Sequence, residues 1–250
     1  MGRKLSEPTP AELDTVEINR LLATDPASAA RLLEAAARRD RADAQAWLGQ
    51  MYLDGQGLQK DAQEAVYWFQ RAAHADVPMA MNMLGRCYEN GWGTTQDFAL
   101  ALVWYRRAAA QDLDWAIYNL AQMHANGRAV DKDRAEAFRL FTQAASMGHA
   151  RAKHFLGQFY EHGWEVDADP EHAFRLYRES AEGGDYRGMC SWASVLAGAG
   201  RVEDAADLIR RAVPLAPTHY LAPLAAQLDQ AASAPLRDTA RWVREVLAQR

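Results

Sequence analysis

The residues best equipped for chemistry lie together in HFLGQFYEH, residues 154–162. On a helix His154, Gln158, Glu161 and His162 fall at i, i+4, i+7 and i+8 and share one face. Cys190 follows His154 by 36 residues. Imidazole, carboxylate and thiolate form a ligand set that suits zinc. The spacing does not make a self-contained site, because histidine ligands on one helix commonly stand four apart, as in His-Glu-x-x-His. These two stand eight apart, so a neighbouring element would have to complete the shell. The polar lining of a groove is the simpler reading. The chain has no Gly-x-Ser-x-Gly elbow, no Ser-x-x-Lys and no glycine loop ending in Gly-Lys-Ser or Gly-Lys-Thr. The expectation is a protein without catalytic residues, metal or cofactor, whose function lies in binding.

Composition narrows the class of partner. Apolar residues make up 49% of the 250 and charged residues 24%, with a formal net charge of −5 and a pI near 5.8. These are ordinary values for a folded globular chain, and the acidic balance lacks the basic stripe a nucleic-acid binder needs. No apolar run approaches the length of a membrane helix, and MGRKLSEPTP has no apolar core of a signal peptide. MGRKLS fits the short pattern for myristoylation at Gly2, with Ser6 in place. The alanine- and arginine-rich composition is of a bacterial type, where that modification is not expected. The expected location is the cytoplasm.

The elements that position the polar residues come from a repeat. Leu48, Leu84, Leu120 and Leu156 are each 36 apart, as are Gly55, Gly91, Gly127 and Gly163, and Asp61, Asp97, Asp133 and Asp169. Ala65, Ala101, Ala137 and Ala173 keep the same step. A fixed period of this length marks an array of one supersecondary unit. Within a copy, Ala44, Leu48, Met51 and Tyr52 make one helical stripe, and Ala65, Trp68, Phe69, Ala72 and Ala73 a second. The glycine suits a left-handed C-terminal cap, and the aspartate an N-cap, with Glu64 or Glu136 three residues on to complete a capping box. Small residues at Ala44, Ala80, Ala116, Ala152 and Gly188 alternate with bulky Trp68, Trp104, Leu140 and Leu176, as interdigitated hairpins require.

The pattern Ala-x3-Leu-Gly-x2-Tyr-x2-Gly-x-Gly, then Asp, then Ala-x2-Trp-Phe-x2-Ala-Ala, in residues 44–73 and 80–109, resembles the Sel1-like repeat, a longer-looped relative of the tetratricopeptide repeat. Copy three departs at Ala121, His124 and Ala129, and copy four at Glu165. The resemblance implies an all-α, right-handed α-solenoid of stacked antiparallel hairpins, with about fourteen helices. It divides the chain into a disordered tail (1–10), a degenerate first repeat (11–43), four repeats (44–187), a shorter-looped fifth hairpin (188–217) and capping helices (218–250). Cys87 and Cys190 lie nearly three repeats apart, unlike the closely spaced pairs of secreted members, so both are expected reduced in a cytoplasmic monomer.

The same resemblance implies that the first helix of each hairpin lines the concave side. Its inward residues are then Asn82, Arg86 and Asn90, followed by Trp115, Tyr118, Gln122 and Asn126, and by Arg151, His154, Gln158, Glu161 and His162. Trp115 beside Tyr118 is expected as an exposed aromatic pair inside an amide-rich rim, suited to a protein or extended peptide. The expected function is a non-catalytic adaptor or scaffold. The alternatives are an inhibitor or immunity-type protein that binds one folded enzyme, and a metal-dependent enzyme using His154 and Glu161.

Overall fold

The computed structural model describes residues 15–250, and no strand occurs among them. The expected tail and the first residues of the degenerate repeat lie outside the described residues. The chain forms two compact units, the first ending at Ala116 and the second running from Ile117 to Arg250. The first holds α1 (Thr15–Thr24), α2 (Pro26–Ala37), α3 (Ala42–Asp54), α4 (Ala62–His74), α5 (Pro78–Asn90) and α6 (Phe98–Ala109). Helix α7 (Asp114–Asn126) starts with the first unit's last residues. The second continues with α8 (Arg134–Ser146), α9 (Ala150–His162), α10 (Pro170–Glu182), α11 (Tyr186–Gly198), α12 (Val202–Ala212), α13 (Thr218–Asp229) and α14 (Ala234–Ala248). Within each unit consecutive helices pack on one another: α3 on α4 and α5 on α6 in the first, and α9 on α10 and α11 on α12 in the second.

The repeated columns carry out the construction read from their chemistry. Gly55, Gly91, Gly127 and Gly163 end the first helices at φ of 67° to 74°, the left-handed region where a Cβ is penalised. The alanines of both small columns, from Ala44 and Ala65 onward, are fully buried. Gly49, Gly85 and Gly157 follow the leucine because each faces a ring of its own hairpin. A Cβ there would stand 2.8, 2.7 and 2.6 Å from Phe69, Tyr105 and Tyr177. The second loop glycine lies closer still: a Cβ on Gly93 would meet the Ala62 carbonyl oxygen at 1.9 Å. Ala129 and Glu165, which replace it in copies three and four, keep the same left-handed backbone at φ 58° and 59°.

The capping boxes are only half made. Asp61 accepts from the Gln63 and Glu64 amides, and Asp133 from that of Glu136. The return bond from the glutamate is absent because the aspartate's own N–H is already used. Asp61 N–H donates to the Tyr52 carbonyl at 2.9 Å, and Asp133 N–H to that of His124 at 3.0 Å. That bond ties each second helix to the last turn of the first. Glu136 turns instead to Arg139, with bonds of 2.7 and 2.8 Å.

Candidate partner-binding surface

Positions 2, 6, 9 and 13 of each first helix lie on one face, four, three and four residues apart. In the first unit this face carries large apolar groups. Met79 is 45% exposed, and Trp47 and Trp115 are each 39% exposed. The polar residues beside them are engaged with their own hairpin. The Arg86 guanidinium lies 5.2 Å from the Trp92 ring and donates to Met83 Sδ, while Asn90 donates to the Arg86 carbonyl at 2.8 Å. Trp47 was legible as a member of this face, standing four residues after Asp43, yet the expected set omits it.

Position 5 behaves differently, and three expected site residues must be corrected. Asn82, Tyr118 and His154 are buried, at 2%, 7% and 6% exposure. This column sits one step inward of the exposed face, where a first helix meets its neighbours. In the second unit the Tyr118 ring stacks on His149 with centroids 4.8 Å apart, and lies 6.0 Å from Phe141 and 5.9 Å from Phe155. Burial pushes its phenol up to about 12, with Arg151 and Arg187 pulling the other way. The exposed aromatic pair is therefore one exposed tryptophan and one core tyrosine.

Around that core the second unit builds a charged rim. Arg151 Nε donates to Asp185 Oδ2 at 3.0 Å. Asp185 Oδ1 caps α11 by accepting from the Arg187 and Gly188 amides at 3.1 and 3.2 Å. His149 takes the equivalent cap position on α9, its Nδ1 accepting from the Ala152 amide at 3.0 Å. Sequence reasoning passes over these two caps; the signal is a polar residue three positions before the first-helix small column, His149 before Ala152 and Asp185 before Gly188. The Arg187 guanidinium lies over the Tyr186 ring at 4.5 Å. Gln122 and Gln158 are half-buried, and Asn126 is exposed, donating to the Gln122 carbonyl at 2.8 Å.

The metal constellation does not assemble. Glu161 accepts from the Tyr177 hydroxyl at 2.5 Å, His162 is exposed beside Trp164 at 4.6 Å, and His154 Nδ1 faces the Ser191 hydroxyl at 3.3 Å. Among the described residues no group of three or more His, Cys, Asp or Glu is placed to hold a metal ion. Cys87 and Cys190 are both free thiols, and burial pushes each up to about 11.

Burial lowers His154 from 6.5 to about 4, with Asp185 opposing and Arg187 reinforcing the shift. The fold accommodates the neutral imidazole. Between pH 6.5 and about 4 the unfolded chain binds a proton that the folded chain refuses, so stability is intact above the upper value and falls as pH falls. The expected loss is on the order of 2–3 kcal/mol by the bottom of that window. Urea unfolding at both ends of the window should show a smaller pH effect in His154→Gln than in the wild type. An equal effect in both would place the titrating groups elsewhere.

With this geometry in place, likeness to known proteins becomes informative. The Sel1 repeat model matches residues 42–77, 78–113, 116–149 and 150–185, more than half of the chain. The chain belongs to the Sel1 repeat family. Sel1 repeats form helical scaffolds that typically mediate protein–protein interaction. This Sel1-repeat chain is 27% identical to a Sel1 repeat protein from Oxalobacter formigenes, covering 94% of this chain and 98% of that one with a TM-score of 0.74. It is 25% identical to a protective antigen of uropathogenic Escherichia coli, over 94% of this chain and 52% of that one, with a TM-score of 0.63. An immunity protein from Pseudomonas aeruginosa shares the fold at 17% identity, over 84% and 81% of the two chains, with a TM-score of 0.60. No curated protein matches the sequence. Among the described residues no helix is long and apolar enough to cross a membrane.

Proposed function

We propose that this Sel1-repeat chain is a non-catalytic scaffold that binds a protein or extended peptide through the first-helix faces of its hairpins. The observation that carries the reading is the exposure of Trp47, Met79 and Trp115 on those faces in the first unit. Each of these side chains keeps more than a third of its surface in water, and large apolar groups left in water are characteristic of interaction surfaces. In the second unit Gln122, Gln158 and Arg187 on the same face offer groups for hydrogen bonding. In the first unit Trp47 shares its helix face with the polar Gln50 and Asp54, and a tryptophan beside polar groups has the composition of a binding hot spot.

The test is a dissociation constant for a partner isolated from the native host. Trp115→Ala is expected to weaken binding at least about tenfold. Val103→Ala, at a 50% exposed position of the second helix α6, should leave it unchanged. The opposite pattern would put the interface on the second helices and loops, as the inhibitor reading requires.

A further inference from the structure

A cleft of about 670 Å³ in the second unit is lined by Glu161 of α9, Phe174 and Tyr177 of α10, and Ser191, Ser194 and Val195 of α11. The repeat itself shows what is missing from it. Thirty-six residues before Ser191 and Val195 stand Phe155 and Phe159, and the loop after α9 adds Trp164. There Phe155 lies flat on Phe141, with centroids 5.2 Å apart and planes within 10°. Phe159 packs on Phe138 at 5.4 Å, and Trp164 meets Phe159 edge-on at 5.8 Å. Phe138 and Phe141 are the counterparts of Phe174 and Tyr177, again 36 residues on. In the first unit the corresponding Met83, Cys87 and Trp92 pack in one cluster with Val66 and Phe69. At α9–α11 the aromatic floor persists, but the two covering rings of the first helix have become hydroxymethyl and isopropyl, and no loop tryptophan lines the cleft.

We propose that this cleft receives an aromatic side chain of a polypeptide partner, presented beside a lysine or arginine that pairs with Glu161. The aromatic half follows from the floor, which at the preceding hairpin takes the rings of the chain itself. The basic half follows from charge. Glu161 is 41% exposed at its side chain; it accepts the Tyr177 hydroxyl, and its nearest ionisable nitrogen is His162 Nε2 at 3.9 Å. A carboxylate has acceptor sites left after those contacts. The preceding hairpin combines the same two elements, since the Arg134 guanidinium lies 5.1 Å from the Trp164 ring. Ser194 turns its hydroxyl proton to the Cys190 carbonyl at 3.2 Å, which leaves its oxygen to accept a peptide N–H. This inference rests on the first-helix reading and narrows it to a kind of segment.

The test is selection of a random peptide library, displayed on phage, against the full chain. Enriched peptides should carry Trp, Phe or Tyr within two residues of Lys or Arg. Ser191→Phe restores the covering ring and should weaken a selected synthetic peptide at least about tenfold, with the melting temperature unchanged or raised. Ser194→Arg, at an exposed position, is a second plug and should give the same loss if Ser191→Phe disturbs the fold. Glu161→Gln should cost roughly three- to tenfold for basic-flanked peptides and nothing for neutral ones. No enriched peptides, peptides lacking the aromatic–basic pair, or affinity that survives both plugs would overturn the cleft. None of those results touches the first-helix reading, which fails separately if the natural partner ignores Trp115→Ala.

Discussion

Tyr118→Ala is expected to lower the unfolding free energy by about 3–5 kcal/mol, the range for truncating a large buried aromatic. At 7% exposure the ring is a core element, enclosed by His149, Phe141 and Phe155. The Arg151 guanidinium closes one side at 6.0 Å from its centroid. Removing the ring leaves a cavity and takes the stacking partner from the imidazole that caps α9. Tyr118→Phe keeps the stack and should cost far less, about 1 kcal/mol or below. Denaturant unfolding distinguishes the two. Unchanged stability in Tyr118→Ala, together with lost partner binding, would return the residue to the surface.

Trp68→Ala should cost a similar 3–5 kcal/mol in the first unit. Trp68 is 7% exposed and packs in one cluster with Leu33, Leu48 and Met51. Its indole N–H is buried without a hydrogen-bond partner, so the truncation forfeits packing and burial with no bond to lose. Tyr67 meets its edge at 4.9 Å, and Arg71 lies 5.8 Å from its ring. Amide exchange should locate the damage: faster in α2–α4 for Trp68→Ala, and faster in α8 and α9 for Tyr118→Ala. Equal acceleration of the same helices by both variants would contradict the assignment of the two rings to separate clusters.

The contrast between these residues marks where the sequence was legible. Helix ends, glycine caps and the two alanine columns follow from local rules, and four copies in register make each rule visible. Trp68 was readable because its whole column is bulky. Tyr118 was not, since its burial depends on α8 and α9 closing over it. Helical spacing places it near the exposed face and says nothing of the rings of Phe141 and Phe155. The capping boxes failed for a related reason: the donor they need was committed to the carbonyl of Tyr52 or His124, nine residues earlier. The metal constellation was a true face of α9, but its members turn to three different neighbours. The cleft at α9–α11 was written in the columns as Phe155 and Phe159 giving way to Ser191 and Val195. Its meaning needed the stacked rings of the preceding hairpin as a template.

The central claim is that partners contact the first helices. Hydrogen–deuterium exchange of the full chain, with and without its bound natural partner, tests this most directly. Protection concentrated in α3, α5, α7, α9 and α11 is the predicted result. Protection confined to α4, α6, α8 and α10, with the first helices unchanged, would contradict it.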